Sequence, residues 1–86
     1  MNTFMLNITS PEGKMFSDEV MMLTARGVEG DLAILAGHIP FVTTLKPCEC
    51  KIILADDSEK TGETDGGILT VSSEQVTLLS GSFKWK

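Results

Sequence analysis

The sequence predicts a single all-β domain, on three observations. Its 86 residues, of which 42% are hydrophobic, suffice for one domain with one modest core. Turn-forming Gly, Pro, Asp and Ser residues recur about every eight to twelve positions, as they do in all-β domains. Between these turns apolar and polar residues alternate, and no longer segment shows a helical period.

The amino-terminal strands are the clearest. Phe4, Leu6 and Ile8 share one face of a first strand. Ser10-Pro11-Glu12-Gly13 has Pro at the second turn position and Gly at the fourth, which predicts a hairpin into a strand over 14–16. Residues 20–25 are apolar on both faces, so we expect a separate strand buried between two layers.

Later strands follow the same logic. After Pro47, residues 48, 50, 52 and 54 are apolar and fall on one face of a half-buried strand. Segments 68–71 and 76–79 predict a closing hairpin. The polar stretch 56–65 carries five acids and is interpreted as a solvated hairpin tip, because its acids lack the ordered spacing and glycine of a calcium loop.

The two cysteines, Cys48 and Cys50, are one residue apart and point to the same side of a strand. Their separation is near the upper limit for a disulfide, so we expect buried, reduced thiols that fill the core. A redox or metal role is the alternative. With His38 as the only histidine, a four-ligand zinc site would also need carboxylates.

Charge and hydropathy exclude several classes. Seven basic against twelve acidic residues give a net charge of −5, which disfavours binding to a phosphate backbone. No stretch is long and apolar enough for a membrane span, and the start lacks the features of a signal peptide. We therefore expect the chain to remain on the cytoplasmic side.

Catalytic motifs are missing from the sequence. There is no glycine-rich phosphate loop and no tyrosine, and the single histidine lies in a turn away from any nucleophile. We expect a non-catalytic protein with no cofactor and no metal. A small domain of this kind gains stability from a partner that covers more of its surface.

One stretch is more specific than composition. Val28 to Pro47 reads Val-Glu-Gly-Asp-Leu-Ala-Ile-Leu-Ala-Gly-His-Ile-Pro-Phe-Val-Thr-Thr-Leu-Lys-Pro. With Thr-Ser-Pro-Glu-Gly-Lys-Met-Phe-Ser upstream and Gly-Gly-Ile-Leu-Thr-Val downstream, it resembles the epsilon subunit of rotary, F-type ATP synthases. The resemblance covers essentially the whole chain as that subunit's N-terminal domain.

The departures from the family pattern are local, with one exception. Ala33 and Ala36 replace a family Gly and Pro, and Cys48 replaces the Gly that follows Lys-Pro. Typical members continue into a C-terminal helical hairpin, which we expect to be absent here; a naturally short subunit and a shortened one both fit.

The resemblance implies a flattened two-sheet β-sandwich of about ten short strands over residues 1–86. It implies a rotor subunit of the central stalk that couples the gamma subunit to the c-ring, peripheral to the cytoplasmic face of a bacterial membrane. A free-standing β-sandwich module for glycans or peptides is the rival. Such modules usually present a row of exposed aromatics, whereas this chain has no Tyr and one Trp.

The resemblance also implies a set of partner-binding residues. The turn at 28–31 matches the acidic loop that faces the c-ring, whose own loops commonly carry basic residues, with Glu29 and Asp31 as its charges. The apolar pair Phe41 and Val42 follows a rigid Pro turn and is expected to anchor an interface. Three further residues match family positions that lie toward gamma and the ring, which completes the set Ser10, Val28, Glu29, Asp31, His38, Phe41, Val42 and Thr43.

Overall fold

A computed structural model of the chain describes residues 2–28, 30–37 and 39–86. In this part of the chain there are nine strands and no helix, which confirms the all-β class and comes close to the ten strands expected. The strands are β1 Phe4–Ser10, β2 Gly13–Gly27, β3 Gly30–Leu35, β4 Phe41–Leu45, β5 Cys48–Leu54, β6 Glu59–Thr64, β7 Gly67–Val71, β8 Gln75–Ser80 and β9 Phe83–Trp85.

Strand β2 belongs to both layers of the sandwich. Its first part pairs with β1, and its second part pairs with β3 on one edge and β5 on the other. One layer is therefore β4, β7, β8, β1 and the start of β2, with β1 and β8 parallel. The other is β3, the end of β2, β5, β6 and β9.

The prediction of two separate strands in this region was wrong. Segments 14–16 and 20–25 are parts of one strand of 15 residues. Its pairing with β5 shifts register between Val20 and Met22, which leaves Met21 as an extra residue. The extra residue shifts the inward–outward alternation of β2 by one position. Val20 and Leu23 are therefore both buried although they are three positions apart.

The core lies between the two layers and is filled by the side chains at every second strand position, which face inward. Its fully buried large side chains are Leu6, Ile8, Val20, Leu23, Ile34, Cys50, Ile52, Leu69, Val76 and Leu78. A glycine is required where strands approach closely. At Gly67, which has φ of 149°, a Cβ atom would overlap the carbonyl oxygen of Leu79 on the paired strand β8.

Both predicted hairpins are confirmed. The chain reverses at Pro11 and Glu12 between β1 and β2, with Ser10 paired to Gly13. At the other end of the chain, β7 and β8 pair from Val71 and Val76 outward. These turns set the inward faces of the strands that they join.

The solvated tip predicted over 56–65 is shorter than expected. The turn spans Ala55 to Ser58, with Asp57 at φ of 72°, and the rest of the segment is strand β6. Its charged residues face solvent, while Gly62 and Thr64 are buried. Composition was misleading here because an antiparallel strand with one solvated face tolerates many charges.

Cys48 and Cys50 are both free, as predicted. Cys50 is fully buried and burial raises its pKa to about 12, so this thiol is protonated. Cys48 is only half-buried, which corrects the expectation that both are enclosed in the core.

The described residues form no helix of the length and apolarity needed to cross a membrane.

Candidate partner-binding surface

The loop at residues 28–31 is called the acidic loop below, and two of its described residues are hydrogen-bonded to neighbouring strands. The Val28 N–H donates a hydrogen bond of 3.1 Å to the Thr44 carbonyl oxygen of β4. The Asp31 carboxylate accepts a hydrogen bond of 2.7 Å from the Arg26 Nε across the β2–β3 pair. Val28 itself is exposed. Glu29, predicted as the second charge of this loop, lies outside the described residues.

Arg26 changes the electrostatics expected for the loop. It faces Asp31 directly in the register, and both side chains are more than half exposed. The hydrogen bond that Arg26 donates to Asp31, together with the negative charge of Asp31, raises the pKa of Arg26. The Asp31 carboxylate is therefore one half of a neutral pair. Predicting this pair required recognising the hairpin in which Gly27 pairs with Gly30 and Arg26 with Asp31.

Strand β4 carries three of the predicted residues. Phe41 and Val42 are exposed, and Thr43 is half-buried. These three residues and Asp31 line an open cleft of about 330 Å³ between β3 and β4. The structure thus brings four of the predicted residues together. His38, which precedes β4, lies outside the described residues.

Ser10 lies elsewhere. It is at the end of β1, only 7% exposed, and its hydroxyl oxygen accepts a hydrogen bond of 3.3 Å from the Glu12 N–H. This hydroxyl stabilises the first hairpin and is not among the groups that line the cleft.

The most extensive feature of the surface was missed at the sequence level. Strands β1, β4, β7 and β8 form most of one layer and contain no charged residue. We call the outward side of these strands the uncharged face. Its side chains are Met5, Asn7, Thr9, Val42, Thr44, Ile68, Thr70, Gln75, Thr77 and Leu79.

Strand register places the apolar members of this face together. Ile68 and Leu79 are directly opposite each other in the β7–β8 ladder. Val42 is opposite Thr70 and thus diagonal to Ile68. Ile68 is 48% exposed, Leu79 is 50% exposed and Val42 is 66% exposed. Contiguous exposed aliphatic groups without charges are typical of a protein–protein interface.

The signal for this face was present in the sequence. In the segment Gly-Ile-Leu-Thr-Val, burial of Leu69 and Val71 forces Ile68 outward by simple alternation. What the sequence did not provide was the neighbour of each strand, and hence the fact that charge-free strands lie side by side.

Residues 3–86 match a family model described as ATP synthase, Delta/Epsilon chain, beta-sandwich domain. The chain belongs to this family. A similar protein is the "ATP synthase epsilon chain, sodium ion specific" of Acetobacterium woodii, which is 39% identical over 83 residues. That match covers 96% of this chain and 62% of the relative, so this delta/epsilon-chain domain spans less than two thirds of that relative's length.

Two solved structures share the fold of the family domain. A chain of the Euglena gracilis mitochondrial ATP synthase, in a structure of OSCP, F1 and c-ring, has a TM-score of 0.91 at 21% identity; the match covers 96% of this chain and 53% of that one. A chain of the Tetrahymena thermophila mitochondrial ATP synthase, in a structure of the central stalk and c-ring, has a TM-score of 0.81 at 15% identity, covering 95% and 66%. The expected sandwich architecture is thereby confirmed.

The chemistry of the surface agrees with a binding role. Within residues 2–28, 30–37 and 39–86, no three His, Cys, Asp or Glu side chains lie close enough together to hold a metal ion. The cleft between β3 and β4 is lined by one carboxylate, already paired, and by apolar and hydroxyl groups. These groups are suited to contact and lack an activated nucleophile.

Proposed function

We propose that this domain is a non-catalytic part of the rotor of an F-type ATP synthase, where it couples the gamma subunit to the c-ring during ion-driven ATP synthesis. The observation that carries the proposal is the 39% identity to an epsilon chain over nearly the whole domain. The solved structures of similar fold include a central stalk with its c-ring, which supports the same assignment.

The architecture is suited to a mechanical role. A coupling element needs a stiff body, because torque passes between two partners only if the connection does not yield. All nine strands belong to one hydrogen-bonded network, and β2 connects both layers covalently. Such a body requires surfaces that recognise its partners and no reactive group.

The uncharged face is the proposed gamma-binding surface. Phe41 and Val42 lie where this face meets the cleft, and Ile68 and Leu79 extend it across two more strands. Large apolar side chains buried at the centre of an interface contribute most of its binding energy. Thr43 borders this surface in the cleft, and His38 stays part of the proposal on the basis of the resemblance.

The acidic loop is the proposed contact to the c-ring. Val28 and Asp31 are exposed there, and Glu29 is assigned to the contact through the resemblance. Because Arg26 neutralises Asp31, the net attraction to basic loops of the ring comes mainly from Glu29. Ser10 is left out of both proposed contacts because its hydroxyl is buried in a turn.

Localisation follows from the complex. We place the chain at the cytoplasmic face of a bacterial cell membrane, held there through gamma and the c-ring. The rival role as a free-standing module for glycans or peptides is disfavoured, because such modules usually present a row of exposed aromatics and Phe41 is the only exposed aromatic side chain in the part of the chain that the structure describes.

The composition of the ATP synthase from the source cells tests this function. The complex is solubilised in detergent, purified through a catalytic subunit, and its subunits are quantified by mass spectrometry. We expect this chain at one copy per gamma subunit, and its removal with gamma when the central stalk is dissociated. Recovery of the chain only outside the complex, while gamma and the c-ring purify together, would overturn the proposal.

A further inference from the structure

The layer that carries the uncharged face ends at β4. On one side β4 pairs with β7 over its whole length. On the other side it pairs with β2 only where Leu45 lies opposite Gly27, and there the Thr44 carbonyl oxygen accepts the hydrogen bond from the Val28 N–H. Residues 41–43 therefore have no strand beside them on that side, in the part of the chain that the structure describes. We call this side of residues 41–43 the open edge.

The backbone of Val42 points to the open edge. In a strand the N–H and C=O of one residue point to the same edge, and residues two apart share that edge. Because the Thr44 carbonyl bonds Val28 on this side, both backbone groups of Val42 point there as well. Outside the ladder with β7, no described residue forms a hydrogen bond with Val42. Unpaired strand groups of this kind are satisfied by an added strand.

The core is incomplete beside the same edge. Leu45 is buried, so the alternation of β4 directs Thr43 and Phe41 inward too. Thr43 is nevertheless half-buried and Phe41 exposed, and both line the cleft of about 330 Å³ between β3 and β4. A strand beside β4 would project alternate side chains into this cleft and cover them.

The chemistry of the cleft selects an uncharged occupant. Among the described residues that line it, Asp31 has the one carboxylate, which is already paired with Arg26 at 2.7 Å. The other lining residues are glycines or have apolar or hydroxyl side chains. A charged side chain in the cleft would lose hydration without gaining a free partner of opposite charge.

We propose that an extended, uncharged segment of the gamma subunit adds as a strand to the open edge of β4 and fills the cleft. The inference rests on the proposed function, which assigns gamma to the uncharged face. Val42 belongs to both surfaces, because its side chain lies on the uncharged face and its backbone groups lie at the open edge. The two surfaces are thus continuous, and one partner covers both.

Strand β3 provides an internal control for this edge. The Arg26 N–H donates to the Cys48 Sγ, and the Arg26 carbonyl oxygen accepts from the Lys46 N–H, so both backbone groups of Arg26 point away from β3. The opposed Asp31 therefore directs its own groups to the free side of β3, and Ala33, two residues on, does the same. Ala33 does not line the cleft.

Amide hydrogen exchange of the isotope-labelled full chain, followed by NMR, tests the proposal. Alone, the domain should exchange the Val42 and Ala33 amides rapidly. When it is saturated with isolated gamma, exchange at Val42 should slow by about tenfold or more while Ala33 stays fast, because only Val42 gains a hydrogen bond.

The other outcomes are distinct. Gamma that binds in calorimetry without slowing exchange at Val42 would overturn the added strand and leave the proposed function standing. Gamma that does not bind would overturn both. Slowing at Val42 that depends on domain concentration without gamma would identify a second copy as the occupant and overturn the proposal.

Two variants at Val42 separate its backbone from its side chain. Val42→Pro removes the N–H that faces the open edge, and a proline is tolerated on the free side of an edge strand. Val42→Ala shortens the side chain and keeps the N–H. We expect Val42→Pro to weaken gamma binding roughly tenfold more than Val42→Ala does. Equal weakening by the two variants, both folded by circular dichroism, would overturn the proposal; if Val42→Pro does not fold, the exchange rates of the wild type decide.

Discussion

The outer faces of the two layers use the same strand alternation and differ in what they present to solvent. On β5, β6 and β9 most outward positions carry charges, and two ion pairs cross this face: Lys51 to Glu59 at 3.8 Å and Lys86 to Glu49 at 2.6 Å. On β1, β4, β7 and β8 no position is charged, and Val42, Ile68 and Leu79 are exposed.

The difference in charge between the two faces indicates a different role for each. Charges on a sheet surface keep it solvated and discourage association with other chains. A chain with a net charge of −5 that keeps four adjacent strands free of charge has a surface suited to being covered. This contrast supports the proposal that the charged face is the solvent side of the domain and the uncharged face its partner side.

The largest expected effect is on stability, and it distinguishes an inward from an outward side chain of β7. Leu69→Ala empties a fully buried site and should reduce the free energy of unfolding by about 3 kcal/mol, whereas Ile68→Ala next to it should cost less than about 1 kcal/mol. Urea unfolding followed by circular dichroism measures both. Equal losses would mean that Ile68 packs in the free domain as a core residue does.

A smaller effect concerns the acidic loop. Asp31→Asn leaves Arg26 unpaired and should weaken binding to a complex that contains the c-ring by a few-fold at low salt, with the difference fading as salt screens the charges. Glu59→Gln is the matched control, because it removes a carboxylate from an exposed ion pair on the charged face. If both variants bind alike at low salt, the acidic loop does not contact the ring.

The smallest expected effect is the pH dependence of the stability that the Glu49–Lys86 ion pair on the charged face contributes. The hydrogen bond and charge of Lys86 lower the pKa of Glu49. A carboxylate with a lowered pKa stabilises the fold above its unfolded-state pKa and loses that contribution as the pH falls through its folded-state pKa. Glu49→Gln should therefore lower the urea midpoint slightly at neutral pH and have no effect in acid.

Lys86→Gln provides the control for this pair. It should produce the same small loss at neutral pH, and the double variant should lose no more than either single one. Additive losses would show that the two side chains do not interact in solution.

Much of the fold was predictable because alternation is a local property. The inward set Phe4, Leu6 and Ile8 and both hairpins follow from residues close together in the sequence. The bulge at Met21 was not predictable, because residues on both sides of it are apolar and either phase fits. Strand β6 was missed because its polar composition concealed the buried Gly62 and Thr64.

The surface was harder to predict than the core. Phe41 and Val42 were predicted as an apolar pair beside a rigid Pro turn and are exposed, whereas Ser10, predicted from the resemblance, is buried. The uncharged face depends on which strands are neighbours, whereas Arg26 and Asp31 flank one short turn and their pairing required only that this hairpin be recognised. Neighbour relations between distant strands are set by the whole chain and are not encoded in any one segment.

Binding of the domain to isolated gamma subunit, measured by calorimetry, tests most sharply whether the uncharged face is the gamma-binding surface. Ile68→Asp places a charge in the proposed apolar contact and should weaken binding by about 2 kcal/mol, or roughly thirtyfold, at low and high salt alike. Leu35→Asp is the matched control, since Leu35 is exposed to a similar extent on β3 of the other layer, 56% against 48%. Leu35→Asp should bind as the wild type does. Unchanged binding of a folded Ile68→Asp variant would show that the uncharged face does not bind gamma.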